Sequence, residues 1–373
     1  MKGSAFSHFL ASGMMLLAGT TFVSAHGLVG HDEKSQQSAK DCAHHEKGDK
    51  KGGDLVTGQG DLMFTFDEEL TAALPEEAKP HEGKMHGGFN EDPETGIVYT
   101  AIPGYGFASI SADLTKWTKL GDDPRLLDNV HGLVFFKHND KKLIALAQNK
   151  PGRVLIVDLE GKVLQQLDAP NGESFKFEPA KAWYGKEKPH FVPTDVTYLD
   201  GKLYVVTGYS RGDFVLTLEE KDGKWDWGSL AWGGRQGVSG IFSTAHGVYA
   251  HEGNIYVANR QAFQVLKFTK DGKLLEVLSD IPDKSLVCNV AHSGEHFIFC
   301  PLKKVGDQAS APIYAHTGDK LVSTIIPGEL NIPILNNIHH AWPHKVKKDG
   351  KEQLYILVHG WNKGKYAVLK HKN

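Results

Sequence analysis

The sequence predicts an all-β fold, a six-bladed β-propeller closed by an N-terminal strand in its last blade. Three observations predict it. Six segments repeat one pattern: a polar residue opens a short apolar strand, a turn follows, and then come further strands rich in Val, Ile, Leu or Tyr. The openings are spaced 43 to 63 residues apart, a period that suits blades of three or four short strands. No long amphipathic helical pattern interrupts them, which weakens α/β alternatives. A two-sheet sandwich would not account for six openings in one register.

The first residues read as a targeting segment. Lys2 provides a basic start, Met14-Met15-Leu16-Leu17-Ala18 an apolar run, and Val23-Ser24-Ala25 a small-residue cleavage site. The run is too short and too broken for a spanning helix. An exported protein, periplasmic or secreted, with residues 1–25 as signal peptide is therefore expected. Residues 26–58 are rich in His, Lys, Gly, Ser and Asp and poor in apolar side chains, so they are read as a disordered linker. Cys42 with His44 and His45 could bind a metal weakly there, or simply belong to a solvated tether. Residues 59–373 are assigned to the propeller.

Asp61-Leu62-Met63-Phe64-Thr65-Phe66 is a strand-like run with no neighbour of its own. The last repeat ends with a third strand, Tyr366-Ala367-Val368-Leu369-Lys370, and lacks a fourth. The early run is expected to pair there and cover the open edge. Between these ends the six openings are His86, His131, Thr194, His246, Asn289 and His344. The fourth repeat shows the unit most clearly. His246 to Arg260 reads as a hairpin turning at His251-Glu252-Gly253-Asn254, which brings its two ends to one rim.

The net charge is -3 and no basic stripe is present, so nucleic acid is not an expected partner. A small-molecule or peptide substrate, no membrane span and a monomer are the expectations. Of three cysteines, Cys288 and Cys300 lie symmetrically about Gly294. In a simple hairpin they would face each other, either as a disulfide or as two buried thiols.

The first residue of each inner strand lies at one end of a propeller's axial channel. His131, His246 and His344 open alternate blades and would converge with threefold geometry. Three neutral imidazoles with one open position make a catalytic type of zinc site. The same residues could instead hydrogen-bond channel water or a loop. Second strands return to this rim, where Tyr209 and Arg260 sit. Beside a dication a tyrosine can act as a base, and an arginine can hold a carboxylate or an oxyanion.

These residues resemble the peptidylglycine alpha-amidating lyase family, whose fold is an NHL-like six-bladed propeller. The resemblance lies in Val130-His131-Gly132-Leu133, Pro193-Thr194-Asp195-Val196, Thr207-Gly208-Tyr209-Ser210, Phe242-Ser243-Thr244-Ala245-His246, Ala258-Asn259-Arg260 and Trp342-Pro343-His344-Lys345. It covers about residues 85–370. It implies zinc on His131, His246 and His344, with Tyr209 as base and Arg260 at the reacting centre. The implied reaction is dealkylation of a peptidyl α-hydroxyglycine to an amide and glyoxylate. Lys345 replaces an Asp that helps hold the family's structural calcium, which argues against calcium here. The first blade lacks the family's carboxylate-binding arginine, so either another group such as Lys84 or Arg211 takes that role or the substrate differs. Ser210 replaces a cysteine, so the family's disulfide at that turn is absent. A non-catalytic propeller binding a peptide, glycan or protein on this rim is the alternative, as is a propeller metallohydrolase. The latter is usually built from acidic ligands around calcium.

Overall fold

The structure is a computed structural model that describes residues 55–372 except 238–239, 279–280, 283, 333–334 and 362–364. The expected leader and residues 26–54 of the expected linker, with Cys42, His44 and His45, lie outside the described residues.

Six small antiparallel sheets form the blades of a propeller. Blade one comprises Phe89–Glu91, Val98–Ile102, Gly106–Ile110 and Trp117–Leu120; blade two Asn129–His138, Lys141–Lys150, Arg153–Val157 and Val163–Leu167. Blade three comprises Asp195–Leu199, Lys202–Val206, Phe214–Lys221 and Lys224–Gly233; blade four Ala245–His251, Asn254–Asn259, Gln264–Thr269 and Leu274–Leu278. Blade five comprises Val287–His292, Phe297–Pro301, Ile313–Thr317 and Lys320–Ile325. Blade six takes Ile338–Lys348, Lys351–Gly360 and Tyr366–His371 from the C-terminal end, then Leu62–Asp67 and Thr57–Gln59 from the N-terminal end. The two α-helices described, Glu68–Ala72 and Glu178–Tyr184, have five and seven residues. No helix among the described residues is long and apolar enough to cross a membrane.

Local chemistry explains the hairpins. Glu252 and Gly253 turn the first hairpin of blade four with φ of 48° and 74°, both positive as a type I′ turn requires. Asn139-Asp140, Asp200-Gly201 and Asp349-Gly350 do the same in blades two, three and six. Asp and Asn tolerate that region better than most side chains. The strands then alternate their apolar residues into clusters lying between successive blades. Leu203, Val205 and Leu216, for example, pack with Ala145, Val154 and Ile156.

Closure follows the expectation in register. Phe64 pairs with His371 and Phe66 with Leu369. It also goes further: Thr57–Gln59 adds a fifth strand within the stretch expected to be linker. This strand reaches blade five, where the Gln59 amide donates to Ser323 Oγ at 2.9 Å and the Ile326 amide donates to Thr57 Oγ1 at 2.8 Å. The edge is thus covered from two sides.

Two expectations change with the strand register. Blade one's inner strand starts at Phe89, three residues after His86. Cys300 pairs with Asn289, not Cys288, because Cys288 is an extra residue in its strand. Both thiols are free and buried.

Candidate metal centre

Four inner strands carry the same irregularity at the rim where they begin. In blade two Val130 opposes Gln148 and Gly132 opposes Ala147, leaving His131 unopposed. In blade four Ala245 opposes Asn259 and Gly247 opposes Ala258, leaving His246. In blade five the residue left over is Cys288, and in blade six it is His339. Each is a β-bulge, which breaks the two-residue alternation and re-aims one side chain. All four side chains are buried. The glycine after His131 and His246 has a steric cause. A Cβ on Gly132 would lie 2.6 Å from Asp195 Cα, and one on Gly247 3.1 Å from Asn289 Cα. The inner strand of the next blade passes too close for any side chain there.

The bulges bring three imidazoles into a nearly equilateral triangle. Ring centres are 4.7 Å apart for His131 and His246, 4.8 Å for His131 and His339, and 4.9 Å for His246 and His339. Blades two, four and six supply them, as alternate-blade geometry requires, but the third member is His339. His344 lies five residues further along the strand, opposite Tyr355. Its Nδ1 is 2.7 Å from Glu91 Oε2 and its Nε2 is 2.8 Å from the Ala112 carbonyl, so both nitrogens are engaged away from the triangle. A register count leads to the neighbouring residue, and the bulge then turns His339 inward. The apolar second strand runs to His359, and counting back across the two-residue Asp349-Gly350 turn places its partner at His340. His86 also belongs to the cluster, 4.2 Å from His131 and 4.3 Å from His339.

The hydrogen bonds leave lone pairs aimed inward. His131 Nδ1–H donates to the Thr194 carbonyl at 2.5 Å, and His246 Nδ1–H donates to the Cys288 carbonyl at 2.8 Å. A carbonyl can only accept, so Nε2 of each ring carries the lone pair. Metal-bound histidines typically make this outward bond to a backbone carbonyl. His131 Nε2 and both nitrogens of His339 are buried with no hydrogen-bond partner. Burial pushes the His86 pKa down to about 4 and those of His131, His246 and His339 well below the usual value. All four rings are therefore neutral at neutral pH and able to ligate. A cavity of about 10 Å³ lies among His131, His246, Cys288 and His339. That is room for one ion or one water.

The donor atoms fall into two overlapping sets, His86–His131–His339 and His246–Cys288–His339, each within 4.8 Å. The residues fit a transition metal by orphaned nitrogens, neutral rings and carbonyl-anchored N–H groups together.

Tyr209 and Arg260 meet beside this cluster. The Tyr209 hydroxyl is 3.0 Å from His246 Nε2, and Arg260 Nη1 donates to the same hydroxyl at 3.0 Å. Burial raises the Tyr209 pKa while the adjacent guanidinium opposes that rise. The loop entering His246 is pinned. Asp213 accepts from the amides of Thr244 at 2.7 Å and Ala245 at 2.9 Å, holding Thr244 at φ 67°. Such a conformation in a β-branched residue is costly and persists only where neighbours enforce it. Trp361, 39% exposed, stacks on His86 at 5.2 Å and covers that side of the cluster.

The other expected contributors lie elsewhere. Lys84 ends a short 3-10 turn, Lys79–Lys84. Arg211 is exposed on a 350 Å³ groove with Trp183, Lys186 and Arg235. Lys345 sits near Glu295 and Glu352 at 3.7 and 3.8 Å, and the segment compared with the family's calcium motif is not at the axis.

No protein-family model matches the sequence, and no curated protein matches it. Among solved structures, a nidogen/laminin complex aligns at 12% identity over 74% of this chain and 94% of that chain, with a TM-score of 0.48. A catalytically inactive virginiamycin B lyase from Staphylococcus aureus with quinupristin aligns at 11% identity over 84% of this chain and 99% of that chain, with a TM-score of 0.47. Likeness at this level is of fold at most, and the propeller assignment rests on the six sheets themselves.

Proposed function

We propose that this chain is a zinc-dependent carbon–nitrogen lyase of the amidating type, with His131, His246 and His339 as its metal ligands. The observation that carries the reading is the triangle of neutral imidazoles, in which His131 Nε2 and both His339 nitrogens have no hydrogen-bond partner and His246 Nε2 meets the Tyr209 hydroxyl that Arg260 also holds. A bound zinc ion would supply Lewis acidity, polarising a substrate oxygen. Arg260 stabilises the phenolate form of Tyr209 by charge and by its hydrogen bond. Tyr209 takes the hydroxyl proton of an α-hydroxyglycine, the carbonyl of glyoxylate forms, and the C–N bond breaks. Tyr209 then returns the proton to the departing amide nitrogen. The central cavity holds no more than an ion, so the substrate enters on the Tyr209 and Trp361 side. The leader read from the sequence places this activity in the periplasm or outside the cell.

The experiment pairs metal analysis of protein purified without chelators with glyoxylate release from an α-hydroxyglycine peptide. We expect about one zinc per chain, as a single three-histidine site holds, and glyoxylate release lowered about 10²- to 10⁴-fold in Tyr209→Phe with zinc retained. Absence of transition metal removes the reading. Metal without glyoxylate release leaves a metal-binding propeller that does not catalyse this reaction.

A further inference from the structure

We propose that Cys288 is a thiolate ligand of the axial metal, which makes the centre a mixed sulfur–nitrogen site selective for thiophilic ions, one that would take a substrate oxygen as a fifth ligand. The inference deepens the proposed metal centre and rests on that reading. Blade five contributes to the axis by the device the three histidine blades use. Its inner strand bulges at one residue, and that residue is Cys288. A bulge displaces one side chain from the sheet's alternation, so its recurrence at His131, His246 and His339 marks the position as a donor position. Cys288 is buried, and its Sγ lies within 4.8 Å of donor nitrogens on His246 and His339, the same distance that the His86–His131–His339 set meets.

Burial pushes the Cys288 thiol pKa up to about 11, and Arg260 opposes that rise, so a bound cation is needed to displace the proton. Arg260 Nη1 is 3.9 Å from Sγ, so a permanent positive charge faces the sulfur in a buried place. Metal binding would replace the S–H bond by an S–metal bond and release the proton to solvent. His246 donates through Nδ1 to the Cys288 carbonyl at 2.8 Å. One residue would thus orient a histidine ligand through its backbone and ligate through its side chain. Cys300, equally buried, pairs with Asn289 in the regular part of the ladder and belongs to neither donor set. Thiolate donors favour zinc, copper(I) and their kin over calcium, magnesium or manganese.

The test uses full-length protein carrying Cys42→Ser and Cys300→Ser, stripped of metal and titrated with cobalt(II) as a spectroscopic stand-in for zinc. We expect visible d–d bands of a four-coordinate ion together with a near-ultraviolet thiolate-to-cobalt charge-transfer band. Adding Cys288→Ser should abolish the charge-transfer band, keep the d–d bands and weaken zinc at least about tenfold, as loss of a ligand costs no less than loss of its supporting partner. Far-ultraviolet circular dichroism matching the parent shows that the variant is folded. Cobalt bands of imidazole ligation with no charge-transfer band would overturn the thiolate and leave the histidine centre standing. A charge-transfer band surviving in Cys288→Ser would also overturn it. No cobalt binding at all would overturn the thiolate and the proposed centre together.

Discussion

His339 is the residue where the structure departs most from the sequence expectation, and a substitution there has a sign that can be worked out. Its two ring nitrogens are buried and have no hydrogen-bond partner. Burying a polar group without a hydrogen bond costs about 1–3 kcal/mol. Leucine is similar in volume and has no polar atom. Metal-free His339→Leu should therefore be more stable than the wild type by about 1–2 kcal/mol, raising the melting temperature by a few degrees. Zinc reverses the order. With zinc at a hundred times its dissociation constant the wild type gains about 2.7 kcal/mol. His339 belongs to both donor sets, so its loss leaves two ligands in each. If binding weakens a hundredfold, the gain at the same zinc falls to about 0.4 kcal/mol. His344→Leu should behave in the opposite way. Both its nitrogens are engaged, so removing the ring takes a partner from the Ala112 carbonyl and leaves Glu91 with Trp342 Nε1 as its remaining donor. That costs about 1–3 kcal/mol and leaves the zinc response intact. Scanning fluorimetry of both variants in chelator and in zinc reads all four quantities. A lowered metal-free melting temperature for His339→Leu, or loss of the zinc shift in His344→Leu instead, would refute the reasoning.

Other outcomes follow from the same geometry. The folded-state pKa values of His86, His131, His246 and His339 lie below the unfolded value of about 6.5. The unfolded chain then binds more protons as pH drops below 6.5, so stability is complete above that pH. It is lost downward through pH 4 at up to about 1.4 kcal/mol per pH unit per histidine, and a flat urea midpoint from pH 7 to 4 would contradict this. Gly132→Ala forces a Cβ against Asp195 and should destabilise by about 1–3 kcal/mol or more, read by thermal unfolding. Phe64→Ala removes a buried ring from the closing strand and should cost about 3–5 kcal/mol; a neutral result would mean that closure contributes little.

The blade count, the hairpin turns and the closing strand were legible in the amino-acid sequence. Those features are carried by local signals, the two-residue alternation of apolar side chains and the Asp-Gly and Glu-Gly turns that need positive φ. It also singled out His131, His246, Tyr209 and Arg260, because a His-Gly opening and a strand-end arginine are visible as short motifs. Tertiary structure decided the membership of the centre. His339 turns into the cluster because one extra residue bulges at the start of a long strand, and strand alternation does not encode such a bulge. The same kind of bulge separates Cys288 from Cys300 and turns an expected cross-strand pair into one axial thiol and one core thiol. His86, the first of the six openings, joins the cluster from the loop ahead of Phe89 and not from the start of a strand. The contacts that give these residues their chemistry, Tyr209 to His246 and Arg260 to Tyr209, cross between blades three and four and exist only once the ring is assembled.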